Sequence, residues 1–304
     1  MKPLVKLAVL LFAVTLLLTA CTPSESGIVP KPYTATNLEV HFFDAGKADA
    51  ILLTTANSAV LIDTGEKGFG KTILADLEEK GVSKLDYLIV THFDQDHVGG
   101  AAKVLESITV GTVLQSNQPK DSKEYDNYVD ALNTAGIVPV TVRETYEFTQ
   151  DGVAYTVDPP RKSKYNEDES NNSSLIVSVV NGGNRFLFTG DAQTERLAEF
   201  LDTNRKAYDV LKVQHHGKDE PLLEPLLESV KPSYAVITSS EVEPESEEVL
   251  KVLEQAGIRL LLTREGAITL HSDGTAIRFV DLSLISPLFF GDLSVPVWYH
   301  DFSG

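Results

Sequence analysis

Thr91-His92-Phe93-Asp94-Gln95-Asp96-His97-Val98-Gly99-Gly100 is the stretch whose reading decides the fold. Four potential metal ligands, His92, Asp94, Asp96 and His97, fall within six residues. Leu85 to Val90, just before them, is apolar and β-prone and reads as a buried strand. Beyond the glycine pair, Ala101 to Ser107 reads as a helix. Carboxylates and imidazoles crowded on a strand-to-helix loop repel one another and lose hydration. A divalent cation compensates, because carboxylate and neutral imidazole are its natural ligands. The plainer alternative is a solvated polar loop with helix-capping Asp residues.

Upstream of this loop, Leu38 to Phe43 alternates as a strand does and leads into Asp44-Ala45-Gly46-Lys47-Ala48-Asp49-Ala50. Strands follow at Ile51–Thr54 and Ala59–Ile62, the second ending in Asp63-Thr64-Gly65. Thr72 to Lys80 has helical spacing. Downstream, strands are expected at 112–114, 137–142, 153–157, 174–180 and 185–189, with a helix at 125–135 and a loop over 161–172. The last of these strands runs into Gly190-Asp191, and a helix follows at 194–201. Asp209 to Val213 is a strand that ends in Gln214-His215-His216-Gly217. Two helix–strand units (221–238 and 246–262) and a hairpin around Asp273-Gly274 complete the pattern. Polar groups recurring at the ends of apolar strands place a site at a sheet rim. Strand runs at each end with helices between them predict two mixed sheets covered by helices, an α/β fold.

The ends of the chain read differently. Lys2 and Lys6 precede an apolar run, Leu7 to Leu18, of signal-peptide length. It ends in Leu18-Thr19-Ala20-Cys21, which looks like a bacterial lipobox, implying cleavage before Cys21 and its lipidation. Cys21 is the only Cys, so no intrachain disulfide and no thiolate metal ligand exist. The division expected is a signal peptide over 1–20, a lipidated Cys and tether over 21–37, one domain over 38–282, and a tail over 283–304. That arrangement predicts an extracytoplasmic protein held on the bacterial cell membrane by lipid alone. Net charge is −18, which opposes non-specific binding to nucleic acid or anionic lipid.

Taken together, Phe43-Asp44-Ala-Gly-Lys-Ala-Asp49-Ala50, Leu61-Ile-Asp63-Thr-Gly65, the His92–His97 loop, Asn171-Asn-Ser-Ser-Leu175, Leu187-Phe-Thr-Gly-Asp191 and Asp209-Val-Leu-Lys-Val-Gln-His215-His216-Gly217 resemble the metallo-β-lactamase fold. More narrowly, they are similar to the extracellular hydrolase domain of ComEC-type competence proteins. The resemblance spans about residues 38–280 and implies an αββα sandwich, two mixed β-sheets with helices on the outer faces, and metal at one rim. It implies that His92 and Asp94 face one ion, Asp96 and His97 the other, and that Asp191 bridges them. His215 would complete the second ion's shell, with His216 the next candidate. Asp63 would orient an imidazole through its distal N–H. Asp44 and Asp49 would sit at the same rim, with Asn172 and Lys218 as further supports or substrate contacts.

The chemistry expected is hydrolysis by a metal-activated water, with Asp96 and His216 in catalytic roles and one or two ions, Zn or Mn. Asp94 stands where many relatives have a second His, and more oxygen in the donor set favours Mn. There is no Gly-x-Ser-x-Gly elbow, phosphate-binding P-loop or paired dinucleotide fingerprint. A phosphodiester, DNA among them, is the leading substrate class. A small-molecule ester, lactone or amide is the second, and a binding protein with weakened turnover the third. Near Glu243-Pro244-Glu245-Ser246 many relatives carry a rim His that this chain lacks.

Overall fold

A computed structural model of the chain describes residues 35–280. The expected signal peptide, Cys21 and the tail over 283–304 lie outside the described residues. Six strands open the first sheet: β1 (Leu38–Phe42), β2 (Ile51–Thr54), β3 (Ala59–Ile62), β4 (Lys84–Val90), β5 (Thr109–Gln115) and β6 (Val140–Thr141). The second sheet contains β7 (Tyr146–Gln150), β8 (Val153–Asp158), β9 (Ile176–Asn181), β10 (Asn184–Phe188), β11 (Val210–Lys212), β12 (Tyr234–Ile237) and β13 (Arg259–Leu262). The chain then returns to the first sheet through β14 (Ile268–Ser272) and β15 (Ile277–Phe279). The helices are α1 (Gly70–Glu79), α2 (Gln95–Val98), α3 (Ala101–Ser107), α4 (Lys123–Ala135), α5 (Thr194–Thr203), α6 (Leu223–Val230) and α7 (Glu247–Gln255).

Both sheets are mixed, in the orders β15-β14-β1-β2-β3-β4-β5-β6 and β13-β12-β11-β10-β9-β8-β7. Each is antiparallel where hairpins connect neighbours and parallel from β3 to β6 and from β10 to β13. Parallel neighbours need crossovers, and helices supply most of them. Period-two alternation sorts the side chains into layers. Val60 and Ile62 meet Val177, Phe186 and Phe188 in the core between the sheets. Leu61, from the same strand, packs outward with Ile73, Leu77 and Val104. On the second sheet Leu187, Leu211 and Ile237 pack outward with Leu197, Leu226 and Leu253. This is the sandwich that the sequence predicts.

Two features fix the rim. A Cβ on Gly100 would lie 2.3 Å from the Thr64 carbonyl oxygen, and one on Gly99 would lie 2.4 Å from the Lys67 nitrogen. The glycine pair therefore lets the loop after β3 close against the loop after β4. The second feature is Arg196 of α5, which is fully buried. Its Nε donates to the Ser174 carbonyl at 2.9 Å, and its Nη2 donates to the Asp158 carbonyl at 2.7 Å and to Asp158 Oδ2 at 2.8 Å. It thereby ties β8, the 171–174 turn and α5 together. Arg196→Met strands the buried Ser174 carbonyl and the partly buried Asp158 carbonyl, and is expected to cost about 3 kcal/mol. Melting should fall by about 6–12 °C; a change under about 2 °C would mean that the guanidinium is not the clamp.

Strand β7 was not expected from the sequence. Its Tyr146-Glu147-Phe148-Thr149-Gln150 alternates half-buried and exposed residues at a sheet edge, and Phe148 stacks on Tyr155 with ring centroids 4.6 Å apart.

Candidate metal centre

The loops after β3, β4, β10, β11 and β12 converge at one end of the two sheets. Asp63 follows β3 with φ +56°, a left-handed conformation that Asp tolerates. Its Oδ1 accepts the Thr91 N–H at 2.8 Å, and its Oδ2 accepts the Thr91 hydroxyl at 2.7 Å. Oδ2 also accepts His97 Nδ1 at 2.8 Å. With Nδ1 committed, the free lone pair of His97 is on Nε2. This is the imidazole-orienting contact expected of Asp63.

His97 Nε2 lies 3.2 Å from Asp191 Oδ1. His216 Nε2 lies 3.2 Å from Asp191 Oδ2 and 3.5 Å from Asp96 Oδ2. Donor atoms of Asp96, His97, Asp191 and His216 all fall within 4.8 Å of one another. Ligands bound tetrahedrally at zinc-like distances are about 3.3 Å apart. His92 Nε2, His97 Nε2, His216 Nε2 and Asp191 Oδ1 are buried with no hydrogen-bond partner. Three of these atoms, His97 Nε2, His216 Nε2 and Asp191 Oδ1, converge on one place, which would be costly unless a cation meets them. The residues therefore fit a divalent ion.

A hydrogen-bonded chain backs the cluster. His216 Nδ1 donates to the Thr238 carbonyl at 3.0 Å, and the Thr238 hydroxyl donates to Asp49 Oδ1 at 2.6 Å. Lys212 Nζ lies 2.5 Å from Asp49 Oδ2, donates to the Gly190 carbonyl at 3.1 Å, and is 3.7 Å from Asp191 Oδ1. Lys212 and Asp49 are 0% and 1% exposed. Burial alone would raise the Asp49 carboxyl, but Lys212, His216 and His97 outweigh it and hold it below its ordinary value. Burial and the adjacent His97 push the His92 imidazole down to about 4, leaving it neutral and able to ligate. His97 behaves oppositely: burial disfavours its charge, yet Asp191 and Asp63 raise it well above its ordinary value. Asp191 is held well below the carboxylate range, because His216 and His97 outweigh its burial.

The structure brings together Asp96, His97, Asp191 and His216, not the set with His215. The residues after β11 turn through two left-handed conformations, His215 at φ +49° and His216 at φ +54°. That turn carries His216 inward. His215 instead puts its Nδ1 2.8 Å from Glu220 Oε1 and 3.1 Å from Gln193 Nε2. His92 packs against His97 with the rings tilted by 49° and their centroids 4.1 Å apart, and its Nε2 is 3.9 Å from Asp94 Oδ1. Asp94 Oδ1 accepts from Lys120 Nζ at 2.5 Å and from the Ser170 hydroxyl.

Asn172 is fully buried; its Oδ1 accepts the Arg196 N–H at 3.0 Å and its Nδ2 donates to the Glu167 carbonyl at 2.8 Å. Those contacts make it a scaffold residue. Asp44 and Lys218 are exposed. The rim near Pro244 carries Glu245, held by the Ser239 hydroxyl at 2.6 Å and by Arg264 at 3.2 Å. Sequence reasoning missed Lys212, Thr238, Lys120, Ser170 and Lys47, whose Nζ is 3.2 Å from Asp96 Oδ2. For Lys212 a signal was present. In Val210-Leu211-Lys212-Val213, period two puts the lysine on the same inward side as Val210.

A family model described as the Metallo-beta-lactamase superfamily matches residues 44–239. ComE operon protein 3 of Bacillus subtilis is 30% identical over 252 residues, covering 74% of this chain and 32% of that protein. Competence protein ComA of Neisseria gonorrhoeae is 31% identical over 231 residues, covering 74% of this chain and 30% of that protein. The chain thus spans about a third of the length of these relatives. Among solved structures, the metallo-beta-lactamase fold protein YhfI of Bacillus subtilis aligns with a TM-score of 0.54 at 10% identity, over 78% of this chain and all of that one. At that identity the likeness concerns the fold alone.

Proposed function

This chain belongs to the metallo-beta-lactamase superfamily, whose members are generally metal-dependent hydrolases, and from that premise we propose that it hydrolyses phosphodiesters with a divalent ion at the β-sheet rim. The observation that carries the reading is the set of buried, unpartnered donors on His97, Asp191 and His216. Asp96, His97, Asp191 and His216 would hold the ion, with His92 beside them. Zinc or manganese bound there supplies an activated water and Lewis-acid polarisation of the phosphoryl oxygen. Asp63 fixes the His97 ring, and Thr238 fixes the His216 ring, so that both present Nε2. Lys212 neutralises Asp49 behind the ligands and stays out of the reaction. Lys47, beside Asp96, is placed to meet an anionic substrate oxygen.

The phosphodiester class is favoured by the similarity to two competence proteins. The net charge of −18 favours a second reading, in which a small ester, lactone or amide is the substrate and long DNA is disfavoured. Lipid attachment at Cys21 to the outer face of the bacterial cell membrane is part of the first proposal, motivated by Leu18-Thr19-Ala20-Cys21. The discriminating experiment incubates purified protein, loaded with zinc or manganese, with a chromogenic phosphodiester, single-stranded DNA, a lactone and a β-lactam. Metal-dependent cleavage of the phosphodiesters, abolished in Asp191→Ala, is expected. Turnover of the lactone or β-lactam alone would select the second reading. Metal binding without any turnover would leave only a binding role.

A further inference from the structure

The half of the centre built from His92 and Asp94 differs from the half around Asp191. His92 Nε2 is fully buried and unpartnered, 3.9 Å from Asp94 Oδ1, so a second ion would draw on these two donors. Asp94 Oδ1 is already engaged, with Lys120 Nζ at 2.5 Å and the Ser170 hydroxyl in contact. Lys120 also reaches Ser170 Oγ at 3.5 Å. A catalytic ion generally takes three protein ligands, and the neighbouring 171–173 turn spends most of its polar groups on its own scaffold. Asn171 Nδ2 donates to Asp168 Oδ2 at 3.1 Å, and Ser173 Oγ donates to the Ser170 carbonyl at 2.6 Å. Asn171 Oδ1 is the exception, a neutral and unpartnered oxygen.

We propose that this protein holds one tightly bound ion, in the Asp96–His97–Asp191–His216 set, and that the Lys120 ammonium stands where a second cation would neutralise Asp94. A lysine carries one positive charge and three donors on a flexible stem, so it can both satisfy Asp94 and meet a substrate oxygen. Two cations cannot share Asp94 Oδ1 at bonding distance without strong repulsion. The inference rests on the metal-dependent reading of the site and specifies its ion count.

The test is ion stoichiometry, measured by native mass spectrometry and elemental analysis of the full chain after equilibration with zinc or, separately, manganese. Wild type is expected to retain one ion per chain. Lys120→Met, which removes the ammonium and keeps the stem, is expected to retain two, and Lys120→Arg one. Lys120 is partly exposed, so these variants should fold; Lys120→Gln serves in place of the Met variant if it does not. Two ions in wild type would overturn the single-ion centre, and one ion in Lys120→Met would overturn the role given to Lys120; either result leaves the metal-dependent reading intact. No retained ion in wild type at saturating metal would overturn both.

Discussion

Replacing His216 with alanine is expected to strip the bound ion and lower turnover by at least about 100-fold, while His215→Ala keeps the ion and loses less than about tenfold. The two residues are adjacent in sequence and opposite in surroundings. His216 Nε2 faces Asp191 and Asp96 at 3.2 and 3.5 Å, and its Nδ1 is anchored on Thr238. His215 pairs with Glu220 and Gln193 instead. Deleting a side chain that coordinates should therefore remove both affinity and rate, whereas deleting its neighbour perturbs only local hydrogen bonds. The check is metal content and kcat/KM on the same preparations. Equal losses in both variants would contradict the assignment, and loss confined to His215→Ala would reverse it.

The largest stability effect is expected at Lys212. Its ammonium is fully buried against Asp49, itself 1% exposed. Lys212→Met leaves Asp49 as a buried carboxylate without its cation, and breaking such a pair from one side typically costs about 3–5 kcal/mol. For a domain of this size that lowers the melting temperature by roughly 6–20 °C. Asp49→Asn combined with Lys212→Met should recover part of the loss, because the stranded charge is then gone. Melting in the presence of a chelator isolates the protein's own ledger from metal binding. A Lys212→Met protein as stable as wild type would show that Asp49 finds solvent or a proton at small cost.

The strands were legible because sheets covered on both faces need unbroken apolar runs, as in Tyr87 to Val90 and Ala59 to Ile62. The rim was legible because polar residues punctuate the ends of those runs, at Asp63, His92 and Asp191. What stayed hidden was decided by geometry that pattern does not record. Two consecutive left-handed residues choose His216 over His215, and no periodicity distinguishes neighbours on one turn. Such conformations cost on the order of 1–3 kcal/mol each, which fits a site under functional constraint. Lys120 lies in an unremarkable Asn117-Gln118-Pro119-Lys120 loop, and only the fold brings it to Asp94. Edge strand β7 was missed for a different reason: half its residues face water, so its apolar signal was weak.

The account depends on a cation meeting His97, Asp191 and His216 at the sheet rim. The most direct measurement is an anomalous-difference map from crystals of the zinc- or manganese-loaded protein, collected on either side of the metal edge. A single strong peak bounded by His97 Nε2, His216 Nε2, the Asp191 carboxylate and Asp96 is the result predicted. A map with no peak there, or with its strongest peak away from these four side chains, would contradict it.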